Sequence, residues 1–122
     1  MKTTLEQLEK RIEALEGKTT DEVTQVIPTK TLIWGKTADK EMNWKEANKW
    51  CKEQGGRLPT QIELLEAYES KVSGFMEDFY WSATTYSSNA DYAWYVFLSL
   101  GYTYSYSKFS NSNVRCVREL II

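Results

Sequence analysis

Residues 43–65, NWKEANKWCKEQGGRLPTQIELL, contain two helix starts in close succession. Asn43 with Glu46, and then Thr60 with Glu63, have the spacing of a capping box. In that motif the first side chain and the acidic side chain each accept a hydrogen bond from the other residue's backbone amide. The glycine pair between the two motifs is a typical helix stop. The segment therefore predicts two short consecutive helices.

Apolar residues mark the inner side of both predicted helices. In the first helix they recur at helical spacing on one face, at Trp44, Ala47, Trp50 and Cys51. The second helix carries a broader apolar set, namely Ile62, Leu64, Leu65, Ala67 and Tyr68.

Short strands are predicted on both sides of the helices. Thr31–Trp34 is typical of a strand and is expected to end at Gly35. Behind the helices, alternating or β-branched and aromatic runs predict strands at 80–83, 93–98, 102–107 and 114–117. In the run 93–98, Trp94, Val96 and Leu98 share one face, and Tyr95 and Phe97 share the other. The order of one strand, two helices and several antiparallel strands predicts an α+β domain.

The first seventeen residues have a different pattern. Leu5, Leu8, Ile12 and Leu15 are spaced three, four and three residues apart, as at the a and d positions of two heptads. Two heptads are too short for a lone helix to be stable in water, so this seam must be covered. It either packs back on its own domain or forms a coiled coil between chains.

We favour the coiled coil, as a homotrimer, because Arg11 and Glu16 have the spacing of an ion pair between neighbouring helices. The predicted oligomerisation residues are Leu5, Leu8, Arg11, Ile12, Leu15 and Glu16. The predicted organisation is a coiled-coil helix over 1–17, a linker over 18–29 and one domain over 30–122.

The amino-acid composition argues against several classes of function. The 122 residues include no histidine, which removes the usual general base and the usual zinc ligand. The formal net charge is −2, with both signs interspersed, so nucleic acid is not an expected partner. Residues 1–24 lack the continuous apolar stretch of a signal peptide, and no run is long enough for membrane insertion. We expect neither catalysis nor a cofactor.

Tyrosine is concentrated near the end of the chain. Six of the eight tyrosines lie between Tyr86 and Tyr106, interleaved with serine, threonine and asparagine. Antibody paratopes have this composition, because tyrosine gives a large contact area for little conformational entropy. The stripe Tyr102, Tyr104 and Tyr106 either packs one face of a hairpin or is displayed on the surface. We favour display, because the five tryptophans already supply an aromatic core.

Several motifs together resemble one family. They are Trp44-x-x-Ala47-x-x-Trp50-Cys51, residues 55–60 with Glu63-Leu64, Tyr80-Trp81-Ser82, Ala93-Trp94-x-Val96 and residues 114–118. Over roughly residues 30–119 the chain is similar to the Legionella collagen-like protein C-terminal domain family, a bacterial and phage branch of the C-type-lectin-like folds. The resemblance implies two helices beside a twisted antiparallel sheet, with the two chain ends close together.

The same resemblance implies that Cys51 and Cys116 are neighbours, because a cysteine on the first helix meets one on the last strand in C-type-lectin-like folds. They are either a disulfide or two buried thiols in contact, depending on the compartment. The calcium-dependent sugar site of lectins is not expected. The only prolines, Pro28 and Pro59, do not stand in its Glu-Pro-Asn or Gln-Pro-Asp triplet. No metal ligands are therefore predicted.

The tyrosine-rich segment also resembles the variable region of proteins diversified by retroelements, such as the phage tropism determinant. In those proteins, displayed positions alternate with fixed scaffold positions. On this basis the predicted ligand-binding residues are Tyr86, Ser88, Tyr92, Tyr95, Phe97, Ser99, Tyr102, Tyr104, Tyr106 and Phe109.

The expected function is metal-independent binding of a protein or glycan on a host cell, by a tail, fibre or other surface protein of a phage particle. The alternatives are an assembly subunit that contacts other virion proteins and a bacterial surface adhesin that binds glycans. The arginines Arg57, Arg115 and Arg118 could each hold an anion, but pairing with Glu63 or another carboxylate is the preferred prediction.

Overall fold

The described residues form one strand, then two helices, then four strands, in the predicted order. The computed structural model describes residues 30–121. Their elements are β1 (Lys30–Thr37), α1 (Trp44–Glu53), α2 (Gln61–Glu69), β2 (Phe79–Thr85), β3 (Tyr92–Phe97), β4 (Tyr102–Ser107) and β5 (Arg115–Ile121). The α+β prediction is confirmed. The predicted coiled-coil residues Leu5, Leu8, Arg11, Ile12, Leu15 and Glu16 lie outside the described part.

Both helices begin as the sequence predicts. The Asn43 side chain accepts from the Glu46 amide at 2.9 Å, and the Glu46 carboxylate accepts from the Asn43 amide at 3.1 Å. Thr60 and Glu63 make the same reciprocal pair at 3.1 and 2.9 Å. Each box satisfies amides that the helix itself leaves without partners, which typically stabilises a helix by about 1 kcal/mol.

The connection between the helices is attached to β5. Helix α1 ends at the C-cap Gln54, and Gly55 follows with a φ of 83°. A side chain at Gly56 would place its Cβ 2.5 Å from the Val117 carbonyl oxygen, so only glycine allows this approach. The next residue, Arg57, exchanges two backbone hydrogen bonds of 2.9 Å with Val117. The glycine pair therefore both stops the helix and lets the chain reach the last strand.

The strands form two antiparallel sheets. β1 pairs with β5, which brings the two ends of the described chain together. β2, β3 and β4 form a meander in that order. The predicted end of the first strand at Gly35 is wrong. A register irregularity lies between Trp34 and Thr37, and pairing with β5 resumes beyond it, at Thr37 and Arg115.

Two apolar clusters form the core. The first joins buried residues of α1 to the β2–β4 sheet and the final strand: Ala38, Met42, Ala47, Cys51, Leu58, Trp81, Ala93, Val114 and Cys116. The second consists of Leu64, Tyr80, Val96 and Leu98, with Trp34, Leu65 and Phe75 packed against it. Tyr80 and Trp81 are neighbours in β2 but belong to different clusters, because successive strand residues face opposite sides of a sheet.

Cys51 and Cys116 form a disulfide that joins α1 to β5. Both residues are buried, and 65 positions separate them in the sequence. The two cysteines are therefore neighbours, as the resemblance implied. In the unfolded chain the bond would close a long loop and remove much of its conformational entropy.

Arg57 has the carboxylate partner that the sequence predicts. Its guanidinium donates to both Glu63 carboxylate oxygens, at 2.8 and 3.0 Å, and to Glu119 at 2.8 Å. The hydrogen bond from Arg57 lowers the pKa of Glu63. The network therefore links the start of α2 to β5 through charge.

Arg115 does not follow the prediction. Its buried guanidinium donates to the carbonyl oxygens of Gly35 and Ser73 and lies 4.4 Å above the Phe75 ring. Within residues 30–121 no carboxylate forms an ion pair with it. Carbonyl oxygens and an aromatic ring take the place of the carboxylate, because β5 places Arg115 beneath the 73–75 turn.

Reducing the disulfide should lower the free energy of unfolding by about 2–4 kcal/mol, because the denatured chain regains the entropy of the long loop. Urea unfolding of the purified chain, with and without a reductant, measures the difference. The control is the double variant Cys51→Ala with Cys116→Ala, which should be indifferent to reductant. Equal stability of the wild type in both conditions would show that the two thiols are not bonded.

Candidate functional site

One face of the β2–β4 sheet is covered by aromatic side chains, and we call it the aromatic face. It consists of Phe79, Trp81, Tyr95, Phe97, Tyr102, Tyr104 and Tyr106. The strand register explains the alignment: Phe79 lies opposite Phe97, which lies opposite Tyr102. Trp81, Tyr95 and Tyr104 form the next row. Since each row runs across three strands, residues far apart in sequence share one surface.

The rings of the aromatic face contact one another. Phe79 stacks on Tyr95 with centroids 4.1 Å apart, and Tyr95 stacks on Tyr106 at 4.5 Å. Trp81 lies 5.8 Å from Tyr95 and 5.9 Å from Tyr106. Offset and tilted pairs at these distances stabilise a fold by about 0.5–1.5 kcal/mol beyond their buried area. Part of the face is therefore structural.

Exposure changes across the aromatic face. Trp81 is 0% exposed, and Tyr95 and Tyr106 are half-buried against the first core cluster. Burial raises the pKa of Tyr95, and the nearby Tyr106 and Asp78 add to the rise. Tyr102 and Tyr104, in contrast, are each 53% exposed. The tyrosine stripe of β4 is thus packed at Tyr106 and open to solvent at Tyr102 and Tyr104.

The other predicted binding residues lie at the two ends of the sheet. One end of the sheet, at the turn between β2 and β3, carries Tyr86, Ser88 and Tyr92. Phe109 follows β4 at that same end and is 78% exposed. Tyr86 makes an edge contact with Trp94, at 5.2 Å, on the face opposite the aromatic face. Ser99 lies in the β3–β4 turn at the other end.

The structure therefore brings five of the predicted residues onto one face, which are Tyr95, Phe97, Tyr102, Tyr104 and Tyr106. It adds Phe79 and Trp81, which are not among the predicted binding residues. The alternation of Phe79 with Trp81 was the available signal. The partners of Phe79, however, depend on the cross-strand register, which the sequence alone does not give.

Helix α2 covers the opposite face of the sheet. The side-chain amide of Gln61 donates to the Thr103 hydroxyl at 2.8 Å, and the backbone N–H of Gln61 donates to the Thr84 hydroxyl at 3.0 Å. Leu64 of the same helix packs with Tyr80 and Val96. Thr103 of β4 thus bonds to this helix, while the tyrosines of the same strand form the aromatic face.

A second feature is a cleft of about 420 Å³ beside the end of α2. Its lining residues are Ala67, Tyr68, Glu69, Lys71, Val72, Phe75, Leu98 and Ser99.

Residues 30–121 contain no cluster of three histidine, cysteine, aspartate or glutamate side chains that could hold a metal ion. No helix in this part of the chain is long and apolar enough to cross a bilayer.

Comparison with known proteins identifies a family for most of the chain. The family model described as the Lcl C-terminal domain matches residues 24–118, so both helices, the disulfide and the whole β2–β4 sheet lie inside the match. Among curated proteins, no match to the chain was found.

Variants that each lack one ring should distinguish the packed part of the aromatic face from its exposed part. Tyr106→Ala should lower the free energy of unfolding by about 1–3 kcal/mol, because it removes a stacked, half-buried ring. Tyr104→Ala should cost less than about 1 kcal/mol, and the exposed Phe109→Ala should cost almost nothing. Urea unfolding of the three variants measures these differences. An equal loss in Tyr104→Ala and Tyr106→Ala would show that the whole stripe belongs to the core.

Proposed function

The chain belongs to the Lcl C-terminal domain family, and we propose that it binds its ligand through Tyr102, Tyr104 and the rings beside them. The family indicates a surface-displayed binding domain.

The observation that carries the proposal is the exposure of two large neighbouring rings. Tyr102 and Tyr104 are each 53% exposed, and their ring centroids lie 6.4 Å apart. Tyr104 is also 6.0 Å from Phe79. Exposed aromatic groups on a rigid sheet lose little conformational entropy on binding, and tyrosine is enriched among residues that dominate binding energy.

The setting is also a proposal. We propose a receptor-binding protein on the surface of a phage particle, in a tail or fibre, that recognises a protein or glycan of the host cell. A bacterial surface adhesin is the second candidate, because the family is one of surface-exposed proteins. An assembly subunit of a virion would use the same rings as a permanent contact. Recovery of a stable complex with another virion protein from particles would favour that role.

Three finer features belong to the proposal. A C-type-lectin-like fold is supported by the pairing of β1 with β5 and by the disulfide between the first helix and the last strand. A homotrimer formed by residues 1–17 would multiply weak single-site binding by avidity. Diversification of the tyrosine-rich segment would appear as an adenine-rich repeat of its codons near a reverse transcriptase gene.

Binding is proposed to be independent of metal, because aromatic and hydroxyl groups supply the contacts. The labelled full chain is applied to bacterial cells and to arrays of glycans and surface proteins. The tightest hit is then titrated with the double variant Tyr102→Ser, Tyr104→Ser. We expect at least a tenfold weaker affinity, about 1.4 kcal/mol, and no effect of EDTA.

The matched control is Ile62→Ser, which removes an apolar side chain that is 65% exposed on α2, the helix that covers the opposite face. It should bind like the wild type. If the tyrosine variant binds as tightly as this control, the aromatic face is not the site. If EDTA abolishes binding, the metal-independent mechanism is wrong.

A further inference from the structure

Strand β4 lies at an edge of its sheet. The strand order is β2-β3-β4, and within the described chain β4 pairs with β3 alone. In an antiparallel sheet, alternate residues of an edge strand point their backbone N–H and C=O groups away from the neighbouring strand. Such a row of unused donors and acceptors is a template for another strand.

The other edge of the same sheet is β2, and it is covered by other segments of the domain. The β2 amides of Trp81 and Ala83 donate to the carbonyl oxygens of Asn113 and Pro59, at 3.0 and 2.7 Å. The Asn113 side chain also donates to the Phe79 carbonyl oxygen at 2.8 Å. Loops from elsewhere in the domain therefore occupy the outer side of β2, and within residues 30–121 the edge without a partner strand is β4.

Strand β4 carries none of the usual protections of an edge. Its sequence, YTYSYS, has no charged residue and no proline. Its register with β3 is regular from Tyr92 opposite Ser107 to Phe97 opposite Tyr102, without a bulge. Natural edge strands usually carry lysine, proline or a bulge that prevents pairing with other chains.

The strand is also complementary to itself. Two copies of β4 placed antiparallel, with their tyrosines on one face, bring tyrosine opposite tyrosine and serine or threonine opposite serine or threonine. Both pair types stabilise sheets, and no like charges meet. The existing β3–β4 ladder already contains the aromatic pairs Tyr95 with Tyr104 and Phe97 with Tyr102. A second β4 would extend these aromatic rows across the edge.

We propose that β4 pairs with β4 of a second copy of this chain, which joins two three-stranded sheets into one six-stranded sheet. The aromatic faces of the two copies then lie side by side on the same surface. The contact uses backbone groups of β4 and is separate from the predicted coiled coil at 1–17. It also does not depend on the binding proposal, because it concerns the edge of the sheet.

Sedimentation of the full chain from micromolar to near-millimolar concentration tests the pairing. We expect the average mass of the wild type to rise at least twofold with concentration, whatever its state at low concentration, because every chain of a trimer would carry its own β4 edge. In the antiparallel pair, Ser105→Lys places the new lysines of the two copies close to each other. Their repulsion should weaken the association of the two copies at least tenfold. The matched control Ser70→Lys, at an exposed position just after α2, should behave like the wild type. No doubling of the wild type, or equal doubling in both variants, overturns the proposal.

Hydrogen exchange of the wild type gives a second readout that needs no substitution. At high concentration, amides within Tyr102–Ser107 should exchange more slowly than at low concentration. Amides of the exposed 87–91 turn should show no such change. Equal exchange of the β4 amides at both concentrations, in a sample whose mass has doubled, would place the contact elsewhere and overturn the proposal.

Discussion

The attachment of the last strand to the helical half is the constraint on which the rest of the domain depends. β5 pairs with β1, is bonded to α1 through Cys116 and Cys51, and holds the inter-helix connection through the two hydrogen bonds between Val117 and Arg57. The close approach at Gly56 makes the last of these contacts possible. Because Asn113, just before β5, also bonds to β2, the same segment fixes the β2–β4 sheet relative to the helices.

That sheet has two different faces. Tyr80 and Val96 pack beneath α2 on one side, while Trp81 and Ala93 pack into the cluster that contains the disulfide on the other. The aromatic face thus begins inside the core and ends in solvent. Tyr95 stacks on both Phe79 and Tyr106, and Tyr106 also makes a tilted contact with Trp81. Tyr102 and Tyr104, in contrast, are supported by the sheet but are each 53% exposed. A rigid base with exposed rings at its outer end suits a binding surface, because the rings are ordered before a ligand arrives.

The sequence predicts the features that depend on local chemistry. Both capping boxes, the helix stop and the pairing of Arg57 with Glu63 follow from residue types at short spacing, and all are present in the structure. The features that the sequence missed depend on register and on contacts between distant segments. Whether a tyrosine of β4 is packed or exposed depends on which core residue lies next to it, and alternation alone does not reveal this. The carbonyl partners of Arg115 lie in segments far from it in sequence, so a carboxylate was the natural but wrong expectation.

The aromatic face is divided between a structural part and an exposed part. Nitration of the folded chain at micromolar concentration, with each modified tyrosine identified by mass spectrometry, measures this division directly. Among these side chains, Tyr102 and Tyr104 should react first, Tyr95 and Tyr106 should react much more slowly, and the fully buried Tyr80 should not react until the protein unfolds. Reaction of Tyr95 and Tyr106 as fast as Tyr102 and Tyr104 would contradict this division of the aromatic face.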